Sequence, residues 1–194
     1  MTDRIPKAQQ AQRARATILA AAQRRFAATG YERTTIRAVA ADASIDASMV
    51  MRYYISKEGL FAAATEIDLA LPDLSHVPRE RLGEAVAEHF LSRWEENDSG
   101  TPLRVLLSSA LAGSTAAEKM TAIFRIQLTP VIAAANVGNT TEAAERAGLV
   151  ATQILGFALC RYVLRLPPIV ALEREAAVRW LAPTIQSYLT GPTG

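Results

Sequence analysis

The sequence contains one cysteine, two histidines and no long apolar run. A single cysteine, Cys160, excludes an internal disulfide framework and fits a reducing compartment. No uncharged apolar stretch reaches the roughly 18 residues that a membrane span needs, so no membrane partner is expected. The polar residues 1–7 lack the apolar core of a secretory signal. These absences predict a cytoplasmic protein.

Motifs for catalysis and metal binding are missing as well. The sequence has no Gly-rich phosphate loop, no nucleophile elbow and no paired acid/base motif, so neither an enzyme nor a cofactor is expected. His76 and His89 are isolated, with no Cys, His or Asp at ligand spacing, and no metal site is expected. Cys160 is expected to be an inert buried thiol.

Charge is distributed unevenly along the chain. Residues 1–57 carry ten Lys and Arg against four Asp and Glu, a net charge of +6. Residues 58–194 carry eleven against fifteen, a net charge of −4. A basic end on an acidic body suggests a polyanionic partner that meets one end only. Simple solvation of helices by Lys and Arg would produce the same counts, so charge alone does not decide.

Helix-forming residues dominate, and no segment alternates with period 2, which predicts an all-α fold of about nine helices. Gly30 should close the first helix and Thr34 should cap the second. Pro130 and Pro183 fall inside expected helices and predict a kink or a break. The expected helices span about 11–29, 36–43, 47–53, 57–71, 79–97, 102–112, 116–135, 140–166 and 171–190.

The best linker candidate is the stretch 72–78, which begins and ends with proline and is otherwise mostly polar. We therefore expect an N-terminal domain of residues 1–71 and a C-terminal domain of residues 73–194.

Two short helices separated by a three-residue break are expected at about residues 35–54, the size of a helix-turn-helix. Asp46 is a good N-cap for the second helix, and Ser56 for the helix that follows. The apolar residues that would hold the pair together are Val39, Ala40, Ile45 and Val50. The residues that the second helix would expose are Ala47, Ser48, Met49 and Arg52. Small residues at its start allow close approach to base edges in the major groove, although other helical hairpins share this spacing.

A longer motif runs through the first third of the chain. Its residues are Ile18-Leu19-Ala20-Ala21-Ala22, Phe26, Gly30-Tyr31, Thr34-Thr35-Ile36-Arg37, Val39-Ala40, Ser44-Ile45-Asp46 and Tyr53-Tyr54-Ile55-Ser56-Lys57-Glu58-Gly59-Leu60-Phe61. From about residue 12 to 72, without a gap, the sequence closely resembles the N-terminal domain of the tetracycline-repressor (TetR) family. The resemblance implies three N-terminal helices that bind DNA as part of a homodimer. It also implies a variable C-terminal domain that binds a small molecule and forms the dimer interface.

Site residues follow from this resemblance where positions match. Arg37 lies where family members often touch a base, and Ala47, Ser48 and Met49 occupy the base-contacting start of the recognition helix. Tyr53 and Lys57 fall at phosphate-contact positions, although Tyr53 could instead pack. Thr35 could contact phosphate or simply help to start its helix. The family usually has Tyr at Met51, so a phosphate or methyl contact there stays open. The full DNA-binding set is Thr35, Arg37, Ala47, Ser48, Met49, Arg52, Tyr53 and Lys57.

Residues 153–168 and 180–185 resemble one branch of the same family. The resemblance implies that the last two long helices pair with their two-fold mates as a four-helix bundle. Small residues such as Gly156 would permit close approach, and an apolar stripe on the last helix would line the interface, unless it packs within its own subunit. The dimer candidates are Gly156, Val178, Leu181, Ile185 and Leu189.

Bulky apolar residues after the linker are candidates for a ligand pocket, although each could equally be ordinary core. They are Phe90, Trp94, Leu107, Phe124 and Phe157. Arg161 lies in a largely apolar segment, where it could meet an acidic ligand group or pair with a glutamate.

The expected function is a ligand-responsive repressor that binds a pseudo-palindromic operator as a homodimer and is released by a small-molecule effector. An enzyme and a helical adaptor that binds only protein are the alternatives from other classes. The adaptor would leave the +6 charge of residues 1–57 unexplained.

Overall fold

The computed structural model describes residues 7–95, 100–110, 114–135 and 140–192. These residues form helices and connectors, with no strand among them, so the predicted all-α fold is confirmed. The helices are α1 (Lys7–Arg33), α2 (Ile36–Ala43), α3 (Ala47–Tyr54), α4 (Lys57–Ala64), α5 (Leu82–Glu95), α6 (Gly100–Ala110), α7 (Ser114–Ile123), α8 (Thr129–Ala134), α9 (Thr140–Ala158), α10 (Pro167–Val170) and α11 (Arg174–Thr190). Within the described residues, no helix has the combined length and apolarity to cross a membrane.

Several helices differ from the expected spans. Two short 3₁₀ turns, Leu74–His76 and Arg79–Arg81, precede α5. The expected helix 116–135 contains a π-helical stretch, Phe124–Leu128, and α9 continues into a second one, Leu159–Val163. Pro130 is the second residue after the first π-helical stretch, so the backbone departs from α geometry just before this proline. Pro183 does not break its helix, because α11 runs through it.

Two compact units make up the chain. The first holds the described residues up to Glu66 and those between Thr101 and Ala117. The second holds those from Ile67 to Gly100 and from Glu118 onwards. The predicted domain division at residues 71–73 would assign α6 to the C-terminal domain, whereas all of α6 after Gly100 belongs to the first unit.

The core of the first unit is formed by apolar side chains of α1, α2, α3 and α4. Phe26 and Phe61 are almost completely buried and meet edge to face, with 5.1 Å between ring centroids. Tyr31 packs against Phe61 at 4.8 Å, which completes a three-ring cluster. Val39 and Val50 are fully buried and contribute α2 and α3 to the same core.

Polar side chains fix the starts of the short helices. Thr35, Asp46 and Ser56 each accept a backbone N–H from the first turn of α2, α3 and α4, respectively. Asp46 and Ser56 were predicted as caps. Thr34 was predicted to cap α2, and this was wrong: Thr34 is buried, and its hydroxyl donates to the carbonyl oxygen of Gly30. Gly30 interrupts α1 as expected, with φ 75° and ψ 170°.

The segment after α4 is extended, although the sequence predicted helix as far as residue 71. α4 ends at Ala64. In the second unit, the side-chain amide of Gln127 accepts the Leu69 N–H at 2.8 Å and donates to the Ile67 carbonyl at 3.0 Å. His89 Nε2 lies 2.9 Å from the Leu69 carbonyl oxygen. If α4 continued through this segment, these backbone groups would bond to one another within the helix. Here the side chains of Gln127 and His89 bond to them instead.

The second unit packs α5 against α11, and α9 against α11 and α8. Gly83 lies at the α5–α11 contact, where its N–H donates to Gln186 Oε1 at 2.7 Å. A side chain at Gly83 would collide with α11, because a Cβ there would lie 2.7 Å from Gln186 Cβ. The glycine therefore sets the short distance between these helices.

Candidate nucleic-acid interface

The turn between α2 and α3 is built by local hydrogen bonds. Ser44 adopts a left-handed conformation, with φ 53° and ψ 41°, and closes α2. The Ile45 N–H then reaches back to the Ala40 carbonyl at 3.0 Å. Of the residues expected to hold the two helices together, Val39, Ala40 and Val50 are buried and Ile45 is half-buried. Residues 35–54 therefore form a helix-turn-helix, as predicted.

The face of α3 directed away from this core carries the residues expected to recognise bases. Ser48 and Arg52 are exposed, and Ala47 and Met49 are half-buried. Met51, which the family resemblance left open, is 44% exposed. On α2, Arg37 is exposed, and Thr35 is exposed while it caps the helix. The cap shows that Thr35 helps to start its helix, where the residue stays exposed.

Tyr53 is a half-buried residue of α3, and its ring contacts the side chain of Arg15 on α1. The guanidinium carbon of Arg52 is 5.2 Å from the centre of its ring, and that of Arg15 is also 5.2 Å away. Arg52 Nη2 donates to the Tyr53 hydroxyl at 3.4 Å. Tyr54 donates its hydroxyl to the Arg15 carbonyl at 3.0 Å and so attaches α3 to α1. No pattern in the sequence indicates the contact between Arg15 and Tyr53, because the two residues are far apart along the chain.

Lys57 begins α4 and already contacts the end of α1. Its ammonium group donates to the Glu32 carbonyl at 3.1 Å and lies 4.3 Å above the centre of the Tyr31 ring. The Tyr31 hydroxyl donates to Glu58 at 2.9 Å. Burial, followed by this hydrogen bond to Glu58, raises the pKa of Tyr31 to about 12. The residue therefore stays neutral at physiological pH and remains a hydrogen-bond donor.

An ion pair fixes α1 to α2 on the surface of the first unit. Arg25 Nε donates to Asp42 Oδ2 at 2.7 Å, and a second nitrogen of the same guanidinium bonds to Oδ1. This hydrogen bond holds the pKa of Asp42 below its usual range. Nothing in the sequence pattern singled out this pair.

Three of the predicted pocket residues form an aromatic cluster in the second unit. Phe90 and Trp94 are buried on α5, with 5.9 Å between ring centroids. Phe157 on α9 meets Phe90 edge to face at 6.1 Å. Tyr162, which sequence reasoning missed, stacks on Trp94 at 5.0 Å. Phe124 is half-buried in the first π-helical stretch. Leu107 does not join this set, because it is buried in α6 and belongs to the first unit.

Arg161 pairs with a glutamate, which was one of its two predicted roles. Its guanidinium forms an ion pair with Glu95 at 3.0 Å and donates to the carbonyls of Ile169 at 2.6 Å and Leu172 at 2.9 Å. Every nitrogen of the guanidinium has a partner within the protein. The structure therefore shows the pairing with a glutamate, and the contact with an acidic ligand group stays a prediction. Among the described residues, no group of three or more His, Cys, Asp or Glu could hold a metal ion.

The predicted dimer stripe on α11 is core instead. Leu181, Ile185 and Leu189 are at most 2% exposed within the single chain, because they face the second unit's own core. Val178 is half-buried. Gly156 on α9 is exposed, with no atom within 4 Å of a Cβ built there. Trp180, which the prediction passed over, is 75% exposed on α11.

A helix-turn-helix whose second helix presents small, polar and basic side chains defines a protein of the helix-turn-helix DNA-binding class. Residues 18–64 match the family model "Bacterial regulatory proteins, tetR family". Residues 80–189, more than half of the chain, match "Tetracyclin repressor-like, C-terminal domain". The chain belongs to the TetR family of transcriptional regulators and is a DNA-binding regulator.

Solved structures share the fold. A TetR-family regulator from Streptomyces coelicolor A3 is 27% identical, with a TM-score of 0.57 over 96% of this chain and 98% of its own. A TetR-like transcriptional regulator from Rhodococcus sp. RHA1 is 20% identical, with a TM-score of 0.64 over 97% of this chain and 100% of its own. A transcriptional regulator from Rhodococcus sp. Rha1 is 23% identical, with a TM-score of 0.64 over 93% and 99%. No curated protein matches the sequence significantly.

Proposed function

We propose that the protein is a ligand-responsive repressor that binds a pseudo-palindromic operator as a homodimer and leaves it when a small molecule binds. The observation that carries the proposal is the exposed face of α3, where Ser48 and Arg52 stand beside the accessible Met51. Side chains of this size and polarity on a short helix suit direct contact with base edges in the major groove.

The proposed DNA contacts divide into two groups. Arg37, Ala47, Ser48 and Met49 would contact bases, because they lie on the exposed side of α2 or at the start of α3. The residues proposed to contact phosphates are Thr35, Arg52, Tyr53 and Lys57. Phosphate contacts fix the position of the protein on the duplex, and base contacts supply the sequence preference.

The DNA test starts with an operator selected from random duplexes by the purified protein, followed by mobility-shift titration. Lys57→Ala should weaken binding to every sequence about equally and flatten the dependence on salt. Ser48→Ala or Arg37→Ala should change which bases are preferred. Circular dichroism checks that each variant is folded, since Lys57 also contacts the end of α1. An adaptor that binds only protein would select no duplex and show no salt-dependent affinity for DNA.

Homodimerisation is proposed through exposed residues of α9 and α11, because a single short recognition helix contacts too few base pairs for specific binding. Trp180 is 75% exposed on α11, and Leu149 is 48% exposed on α9. Large exposed apolar side chains of this kind are enriched in protein interfaces. Gly156 and Val178 remain candidates for the same surface.

Trp180→Ala tests the interface without disturbing the core. Sedimentation should show a higher fraction of monomer at equal concentration, while the far-ultraviolet circular dichroism stays helical. Leu181→Ala is the matched comparison, because Leu181 is 2% exposed and should lower stability instead. A Trp180→Ala protein that remains as dimeric as the wild type would remove Trp180 from the interface.

A mainly apolar small molecule is the proposed effector. Phe124 and Phe157 are half-buried, so parts of their rings are accessible, and Phe157 touches the buried Phe90. If ligand and operator compete through one equilibrium, each must weaken the other's binding by the same factor. Complete release of the operator needs a preference of about 5.5 kcal/mol for the non-binding form. Once screening supplies an effector, titration into free and operator-bound protein should give different affinities, and equal affinities would contradict the proposal.

A further inference from the structure

Arg15 of α1 and Arg52 of α3 meet at one tyrosine ring. Each guanidinium carbon lies 5.2 Å from the centre of the Tyr53 ring, so the two are no more than twice that distance apart. Arg52 also donates to the Tyr53 hydroxyl. Two cations and one hydroxyl donor are therefore gathered at one exposed place on the first unit.

A hydrogen bond holds this arrangement in position. The hydroxyl of Tyr54 donates to the carbonyl of Arg15 at 3.0 Å, which links the neighbouring residue of α3 to α1. Burial raises the pKa of Tyr54, so its hydroxyl keeps its proton at physiological pH. The backbone of Arg15 is thus attached to the recognition helix, and its side chain is kept beside Tyr53.

The cluster has an excess of positive charge. Within the described residues, neither Arg15 nor Arg52 forms an ion pair. Arg25, on the same helix as Arg15, is by contrast paired with Asp42. Cation–π contact at an exposed site contributes only about 0.5–1 kcal/mol. Two guanidinium groups without an anion therefore leave most of their hydrogen-bonding capacity available.

We propose that Arg15, Arg52 and Tyr53 together bind one phosphate group of the DNA backbone, so that α1 contacts DNA as well as the helix-turn-helix. This inference rests on the proposed function. The planar fork of arginine matches phosphate oxygens through paired hydrogen bonds, and the tyrosine hydroxyl adds a third donor. The contact carries no sequence preference, and it fixes the distance of α3 from the backbone beside the bases.

The first experiment measures DNA affinity against salt concentration by fluorescence anisotropy. It uses the selected operator and a scrambled duplex of the same length. Arg15→Ala should weaken binding to both duplexes by about tenfold. It should also reduce the slope of log K against log salt by about 0.9, the value for one phosphate contact. Arg15→Lys should keep the slope and lose part of the affinity, because it retains the charge without the fork.

Arg24→Ala is the matched control. Arg24 is an exposed arginine on the same helix, nine residues further on, and at about 3.6 residues per turn it lies on the opposite side of α1 from Arg15. Its loss should leave the slope unchanged. Arg15 is exposed, so its replacement should not unfold the protein, and circular dichroism verifies this.

The second experiment removes the phosphate charge instead of the arginine. A scan of single methylphosphonates along the operator should identify one position where the wild type loses more affinity than Arg15→Ala does, because Arg52 and Tyr53 still contact this phosphate in the variant. Such coupling between a protein group and a DNA group is what a direct contact requires. An unchanged salt slope in Arg15→Ala, or the absence of any such position, would overturn the phosphate site while leaving DNA binding intact. Failure of the wild type to bind any selected duplex would overturn the proposed function itself.

Discussion

Gly83 lies at the second position of α5, where this helix touches α11. A Cβ built there would be 2.7 Å from both the backbone nitrogen and Cβ of Gln186, and closer still to the carbonyl oxygen of Ala182. Two of these three atoms belong to the backbone of α11, so no side-chain rotation can relieve the overlap. In Gly83→Ala the two helices must move apart.

The cost follows from three contributions. Overpacking of a well-packed contact costs about 1–3 kcal/mol. Separation of the helices also weakens the hydrogen bond from the Gly83 N–H to Gln186, which contributes about 0.5–1.5 kcal/mol. Alanine regains about 0.5–1 kcal/mol as the better helix former. The net expected destabilisation is about 2 kcal/mol, or a melting temperature lower by about 4–8 °C for a chain of this size.

Gly148→Ala provides the matched comparison in the same unit. Gly148 lies on α9 with no atom within 4 Å of a Cβ built there, so only the helix-propensity gain should remain, about 0.5–1 kcal/mol of added stability. Both variants and the wild type would be melted at one protein concentration, because the proposed dimerisation would make the melting temperature depend on concentration. If Gly83→Ala melted at or above the wild type, the short α5–α11 distance would not be a constraint.

Two further changes test hydrogen-bonded groups. Because the pKa of Tyr31 is raised to about 12, chiefly by burial and then by its bond to Glu58, its contribution to stability is present below pH 10 and lost as the pH rises towards 12. Tyr31→Phe should reduce this alkaline loss in urea unfolding, and an unchanged profile would contradict the assignment. Arg161→Met removes the ion pair with Glu95 and the hydrogen bonds to the carbonyls of Ile169 and Leu172, and should lower stability by about 2 kcal/mol. A variant as stable as the wild type would mean that the network is dispensable.

The helix-turn-helix could be predicted because local chemistry specifies it. Asp46 caps α3, and Val39 and Val50 are buried at the spacing that the helical period requires. Each of these signals needs only neighbours within a few residues. The cap of α2 was assigned one residue early, since Thr34 and Thr35 are chemically equivalent and only the folded backbone distinguishes them.

The role of α11 could not be predicted from its apolar period. Leu181, Ile185 and Leu189 recur every four residues, which places them on one side of the helix. A helix side buried in its own subunit and one buried against a partner have the same pattern. The structure assigns this side to the core, and leaves Trp180 on the exposed side. The extended segment after α4 could not be predicted either. Its conformation depends on Gln127, which is almost sixty residues away from Leu69.

The net charge of a segment does not show which part of the surface attracts a polyanion, and this had to come from the structure. A net charge of +6 over residues 1–57 treats every arginine alike. Asp42 neutralises much of the field of Arg25, because the two groups are hydrogen-bonded at 2.7 Å. Arg15 and Arg52 form no ion pair within the described residues, and both lie at Tyr53. The attraction for a polyanion is therefore stronger where α1 meets α3 than on the side where Arg25 binds Asp42. Since Coulomb energy falls with distance and is screened within about 10 Å at 0.1 M salt, this local placement influences DNA binding more than the total charge does.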